Sequence, residues 1–463
     1  MTTGITTTDV ASLGVLGLAA AYRDGNITAL AAVSWYLDRI ARCDPALHAF
    51  VQVFAPTALE NARAADARRA DGRALSMLDG IPIALKDNID LAGTTTANGV
   101  GALRQRIPSE SAFVAARLQA MGCIVLGKLN MDEAALGATT NNPHFGRTDN
   151  PFMPGDTPGG SSGGSAAAVG AGLCAAALGT DTLGSVRLPA AYCGVVGFMG
   201  TRGMVSRAGV CALSHSLDQV GVLARRVDDA AALFAGLCGY DPQDDQSLAI
   251  ADDFGKAIFP FYQTAEPAKY SLGFVDVAHA CDGDNQAAVV QGIVRLAEKM
   301  RAAGHWVDDP AGPPVGYPGL RRAALLVIEA EGYHACADWL QRDGVSESLR
   351  RMLSYGAGQP ASKIEAARAE LRAARKAWQL VAKPYDFLLM PTAPQTSFIA
   401  DGPVPVSQAD FTSPASVAGL PAISLPAGRA PDGRALSVQI IGTAGADARL
   451  LHFAGHIEHE VNQ

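Results

Sequence analysis

The chain has 463 residues, 49% of them hydrophobic and 18% charged, and carries a formal net charge of −8. Such apolar content supports a large core and excludes general disorder. The acidic balance, with no Lys/Arg cluster interleaved with aromatics, excludes a basic face for nucleic acid. The eight cysteines form no C-x-x-C pair and sit mostly among apolar or small neighbours, as buried free thiols in a reducing compartment do. The apolar patch Leu13–Ala21 precedes the first basic residue, Arg23, so it lacks the charged start of a signal peptide. The run Ala166–Gly179 is too short and too rich in Gly and Ala to span a bilayer. These features predict a soluble, cytoplasmic protein with no membrane partner.

Taken in chain order, Leu30, Val33, Leu37 and Ile40 follow helical spacing from Ile27 to Ala41, and Asp44-Pro45 is the expected stop. A second helix, rich in Ala, Arg and Asp, is predicted over Ala55–Ala70. These helices are expected to pack on or extend the core rather than carry chemistry, and a homodimer contact through them is one expectation. Ile81, Ile83 and Leu85 predict a strand, with Pro82 near its start where a missing N–H is tolerated, and Lys86 at its apolar end. Ala112–Gly122 reads as a helix and Cys123–Leu126 as a short buried strand. Gly122–Leu129 nearly matches a phosphate loop, but Leu129 replaces the Ser/Thr that would hold magnesium, which argues against nucleotide binding.

Two serine-bearing glycine loops follow. The first reads Gly159-Gly160-Ser161-Ser162-Gly163-Gly164-Ser165, and the second Gly179-Thr180-Asp181-Thr182-Leu183-Gly184-Ser185-Val186-Arg187-Leu188-Pro189, with a short Ala-rich helix between them. Glycine permits the backbone angles and close approach that such loops need around one point. Gly159–Gly163 also fits the G-x-S-x-G elbow, yet Asn150–Pro158 before it is a loop rather than the required strand. Further on, Val227–Leu237 and Gln286–Ala303 read as helices, and Ser271–Val277 as a strand. Residues 318–380 are strongly helical. Strands return at 387–391, 422–426 and 437–442. Alternation of helix and apolar strand predicts an α/β fold, one domain over residues 1–463, whose sheet is covered on both faces. No H-E-x-x-H or comparable histidine spacing marks a metal site.

The two loops, Gly80–Asn88 and Arg187–Gly197 together resemble the amidase signature family, over nearly the whole chain. That resemblance implies a central mixed sheet with an N-terminal helical segment (about 9–70), a signature core (about 78–225) and a variable helical region (about 313–380) shaping the substrate pocket. It implies Ser185 as nucleophile and Ser161, after a cis peptide, as the relay to Lys86. Hydrolysis by such a triad needs neither metal nor cofactor. Amide cleavage requires stabilisation of an oxyanion, for which the backbone N–H groups of Thr182, Leu183, Gly184 and Ser185 are the candidates. Ser162, Asp181 and Arg187 are supporting residues, the last two as an ion pair bracing the loop.

Lys86 must be neutral to accept a proton, which takes roughly 4 kcal/mol of bias against its charged form, supplied by burial. Asp87 is expected to point away, since a nearby carboxylate would oppose that bias. Leu183 stands where the family commonly has glycine and cannot easily take a positive φ. Ala135, with Leu136, falls where the family lines its pocket, leaving space for a bulky acyl group. The expected function is cleavage of a C–N bond in a small amide, or a carbamate (urethane), through an acyl-enzyme. The alternative is the glutamine-amidase subunit of a tRNA-dependent amidotransferase.

Overall fold

In the computed structural model of the chain, residues 9–265, 268–275, 277, 287–308 and 313–461 are described. The strands among them are β1 Phe50–Val53, β2 Pro82–Lys86, β3 Ile124–Leu129, β4 Asn141–Asn142, β5 Gly146–Arg147, β6 Ala176–Asp181, β7 Val196–Met199, β8 Gln219–Ala224, β9 Ser271–Phe274, β10 Trp306–Asp308, β11 Phe387–Pro391, β12 Ala422–Arg429 and β13 Ala435–Gly442. Eleven of them form one sheet in the order β1-β3-β2-β6-β8-β7-β12-β13-β11-β9-β10. It is mixed. The ladders β3–β2–β6 and β11–β9–β10 are parallel, and the strands between them, like β1 at the edge, pair antiparallel.

Successive side chains on a strand point to opposite faces, and here both faces are apolar. On β11, Phe387 and Leu389 enter one core cluster while Leu388 and Met390 enter another. Phe198 and Met199 divide in the same way, as do Ile440 and Ile441. The first cluster takes in the helices Asp9–Arg23, Ala29–Leu47, Gly163–Gly170 and Val227–Leu237. The second takes in the helices Tyr317–Ala335, Glu347–Ala357 and Ala361–Ala382. The result is a single α/β domain, a large mixed sheet between helical layers.

Several boundaries differ from those expected. The helix over Ala29–Leu47 runs through Pro45 instead of stopping at Asp44. Proline there removes one N–H near a helix end, where the loss is small. Asp44 then receives the N–H groups of Ala49 at 2.8 Å and Phe50 at 3.2 Å. The strand expected at 123–126 extends to Leu129, so the lysine of the near-phosphate-loop lies inside β3. Lys128 is buried there and donates to Ile89 O and, at 3.0 Å, to Thr96 Oγ1, so it faces no phosphate. Of the strand expected to reach Val277, Asp276 lies outside the described residues, as does Gln286 at the start of the following helix. Among the described residues no helix is long and apolar enough to cross a membrane.

Candidate active site

Parallel pairing of β2 with β6 sets the site. Leu85 lies opposite Leu178, so both strands end on the same side of the sheet. Lys86 closes β2 and Asp181 closes β6. Pro82 opens β2, where no ladder donor is lost. The first serine loop meets these strand ends just before the helix Gly163–Gly170, and its Gly160–Ser161 peptide bond is cis. A side chain at Gly160 would run into the Asp132 carboxylate and the Thr139 amide, so only glycine lets the loop lie this close.

Lys86 is fully buried, with its Nζ 2.8 Å from Ser161 Oγ and 2.9 Å from Thr180 Oγ1. Burial lowers its pKa from 10.5 to about 7, against the opposing pull of the Asp132, Asp181 and Asp218 carboxylates. Asp87 does not contribute to that pull. Its carboxylate turns toward the N–H groups of Ala97 and Gly99, at 3.4 and 3.2 Å. Asn88 Nδ2 donates to Thr180 Oγ1 at 3.0 Å, which fixes the hydroxyl beside the amine.

The second loop is held from below. Asp181 Oδ1 accepts the Gly184 N–H at 2.7 Å, and Oδ2 accepts the Val186 N–H at 3.1 Å. Arg187 grips both oxygens, Nε to Oδ2 at 3.0 Å and Nη2 to Oδ1 at 2.9 Å. The guanidinium also donates to Gln439 Oε1 and Ser416 Oγ, each at 2.6 Å, and to Thr412 O at 3.1 Å. Burial pushes the Asp181 carboxyl up, but the Arg187 charge and these donors outweigh it and hold the carboxyl below its ordinary value. Gly184 has φ +127°, and a Cβ there would collide with the Thr412 hydroxyl. That hydroxyl donates to Leu183 O at 2.6 Å.

Ser185 is half-buried, and its hydroxyl makes no hydrogen bond among the described residues. Its carbonyl accepts the Ser162 N–H at 3.2 Å, which ties the two serine loops together. Ser162 Oγ in turn donates to Thr180 O at 3.1 Å. Of the four expected oxyanion donors, Gly184 N–H is engaged by Asp181. Those of Thr182, Leu183 and Ser185 have no acceptor among the described residues. Asp218 accepts the Thr182 hydroxyl at 2.6 Å and so orients the start of the loop. Leu183 keeps a negative φ and is buried in the second core cluster, so its side chain anchors the loop rather than straining it. Ala135 borders a small cavity with Asn88, Thr180, Thr182 and Leu213, while Leu136 packs against the apolar cluster.

The structure thus gathers Lys86, Ser161, Ser162, Asp181, Ser185 and Arg187 at one end of the strands, in the interior of the sheet. Thr180, Asn88, Asp218, Thr412, Ser416 and Gln439 join them, though sequence reasoning passed them over. Thr180 stands inside the quoted loop and could have been found as the hydroxyl one residue before Asp181. The others carry no spacing signal. Among the described residues no group of three His, Cys, Asp or Glu is placed to hold a metal ion.

The Amidase family model matches residues 31–451. The A subunit of glutamyl-tRNA(Gln) amidotransferase from Prochlorococcus marinus (strain MIT 9303) is 37% identical over 469 residues, covering 95% of each chain. Among solved structures, peptide amidase from Stenotrophomonas maltophilia superposes with a TM-score of 0.83 at 28% identity, covering 97% of this chain and 96% of that one. A chain from a vestigial protein complex, described as revealing the origins of an s-triazine catabolic enzyme, gives 0.88 at 29% identity, with 96% and 98% covered. The chain belongs to the amidase family and is an enzyme acting on carbon–nitrogen bonds.

Proposed function

We propose that Ser185 attacks the carbonyl of an amide, with Ser161 relaying its proton to neutral Lys86. The observation that carries this reading is the 2.8 Å contact between a fully buried lysine amine and the Ser161 hydroxyl. A lysine with a pKa of about 7 is divided between its two protonation states at neutral pH, so it can take a proton during attack and return it to the leaving nitrogen. The unengaged N–H groups of Thr182, Leu183 and Ser185 are the donors for the developing oxyanion. Water then releases the acyl group from Ser185 by the same route.

For the substrate, full-length likeness to amidotransferase A subunits favours glutamine, with the released ammonia passed to a partner subunit. This puts the amidotransferase reading ahead of the free-standing hydrolase that the residues alone suggested. A second reading, a stand-alone amide or carbamate hydrolase, draws on one feature: the apolar cluster that holds Leu183 also includes Leu213, Leu217 and Ala135, close to the loop.

The purified chain, assayed alone against glutamine, a short aliphatic amide, a nitroanilide and an aryl carbamate, separates the two. Glutamine as the sole substrate supports the amidotransferase reading. Turnover of the anilide or carbamate with glutamine untouched replaces it with the hydrolase. Retention of activity by Ser185→Ala rejects the mechanism under either.

A further inference from the structure

A second cleft opens at the same end of the sheet as the catalytic loops. β7 runs antiparallel to β8 and β8 to β6, with Met199 opposite Gly221 and Gly221 opposite Gly179. Thr201 and Arg202, just past β7, therefore emerge on the side where β6 delivers Asp181. The cleft encloses about 650 Å³ between this turn, Ser216–Leu217 and the helix Ala361–Ala382. Lys86, Ser161 and Ser185 do not line it.

Its charge is unusual for a chain of net charge −8. Four arginines, Arg202, Arg368, Arg372 and Arg375, line it against a single carboxylate, Asp245, among its described lining residues. Asp245 is already flanked by His215 at 3.1 Å and Arg207 at 3.3 Å. Arg372 pairs with Glu365 at 2.9 Å, and Arg368 reaches Glu331 and Glu365 only at 3.8 Å. Arg375 makes no hydrogen bond or ion pair among the described residues. Arg202 donates from Nη2 to Ser416 O, yet its Nε is buried with no partner. Gln246 Oε1, in the same wall, is also buried without one.

Arg368, Arg372 and Arg375 are exposed, and the cleft gathers their charge with that of the half-buried Arg202 at one place, a positive field that favours an anion. Burial first, then the Arg375 and Arg207 charges, lower Arg202 to about 10. The wall also carries an apolar stretch of Leu217, Leu248, Val327, Leu371 and Val417, beside the polar Thr201, Ser216 and Gln379. We propose that this cleft binds a small amphipathic organic anion, its phosphate or carboxylate head held by Arg202 and Arg375 and its body lying on the apolar wall. Guanidinium suits either head, since its planar fork matches both.

Titration calorimetry on the purified chain with phenyl phosphate, benzoate and neutral phenol tests this. Arg375→Glu is the variant of choice because Arg375 supports no internal contact, and circular dichroism verifies that it folds. Saturable one-to-one binding of an anion, with phenol not binding, is expected, and the variant should weaken it by about tenfold or more. The tighter of the two anions identifies the head group. Absence of saturable binding, equal affinity for the variant, or phenol binding as tightly as the anions would each overturn the proposal.

Discussion

At the scale of the residue, the site turns on one amine. Because the charged form of Lys86 is what burial penalises, activity should rise as pH passes upward through about 7. A pH–rate profile of kcat/KM measures that limb, and a limb shifted by several units would remove Lys86 from the role. Lys86→Met should lower kcat by roughly 10²–10⁴-fold, in keeping with loss of a general base. The lysine was legible in the sequence because an apolar strand led into it, and the paired serine loops marked its partners. Thr180 and Asn88 were not, since a hydroxyl or amide that steadies an amine needs no particular neighbours in sequence. The backbone of Leu183 was a subtler matter. Its side chain had to enter a core cluster built largely from residues beyond 313, and one-dimensional periodicity carries no record of that contact.

At the scale of the element, the second serine loop is a short link between β6 and the helix Arg187–Tyr192, and the Asp181–Arg187 pair clamps its two ends. Both side chains are fully buried, so removing one leaves the other's charge without compensation. Arg187→Met should cost about 3–5 kcal/mol in denaturant unfolding, and a loss below ~1 kcal/mol would deny the clamp its structural weight. Elements with long helical patterns, such as Ala55–Ala70 and Val227–Leu237, were readable. The edge strand β1 was not. It is four residues long and only partly buried, so it lacks the apolar alternation that marks a strand. Pro45 misled for a related reason: near a helix end its missing N–H breaks little.

At the scale of the whole molecule, buried acids tie stability to pH. Asp447 accepts the Thr201 N–H at 2.7 Å, and burial raises its pKa from 3.8 to about 6 despite the Thr201 bonds. A carboxyl raised in the folded state contributes stability that is fully present below its unfolded value and is lost as pH rises through its folded one. Asp447→Asn, which mimics the protonated acid, should therefore gain in Tm relative to the parent as pH goes from about 4 to about 7. A Tm difference that stays flat across that range would assign the cost elsewhere. Arg187 reaches across more than two hundred positions, to Thr412, Ser416 and Gln439. During synthesis, the second serine loop therefore waits for its last supports until Gln439 has left the ribosome. A nascent chain holding both serines and the lysine still lacks the groups that complete the clamp, which are added more than two hundred positions later.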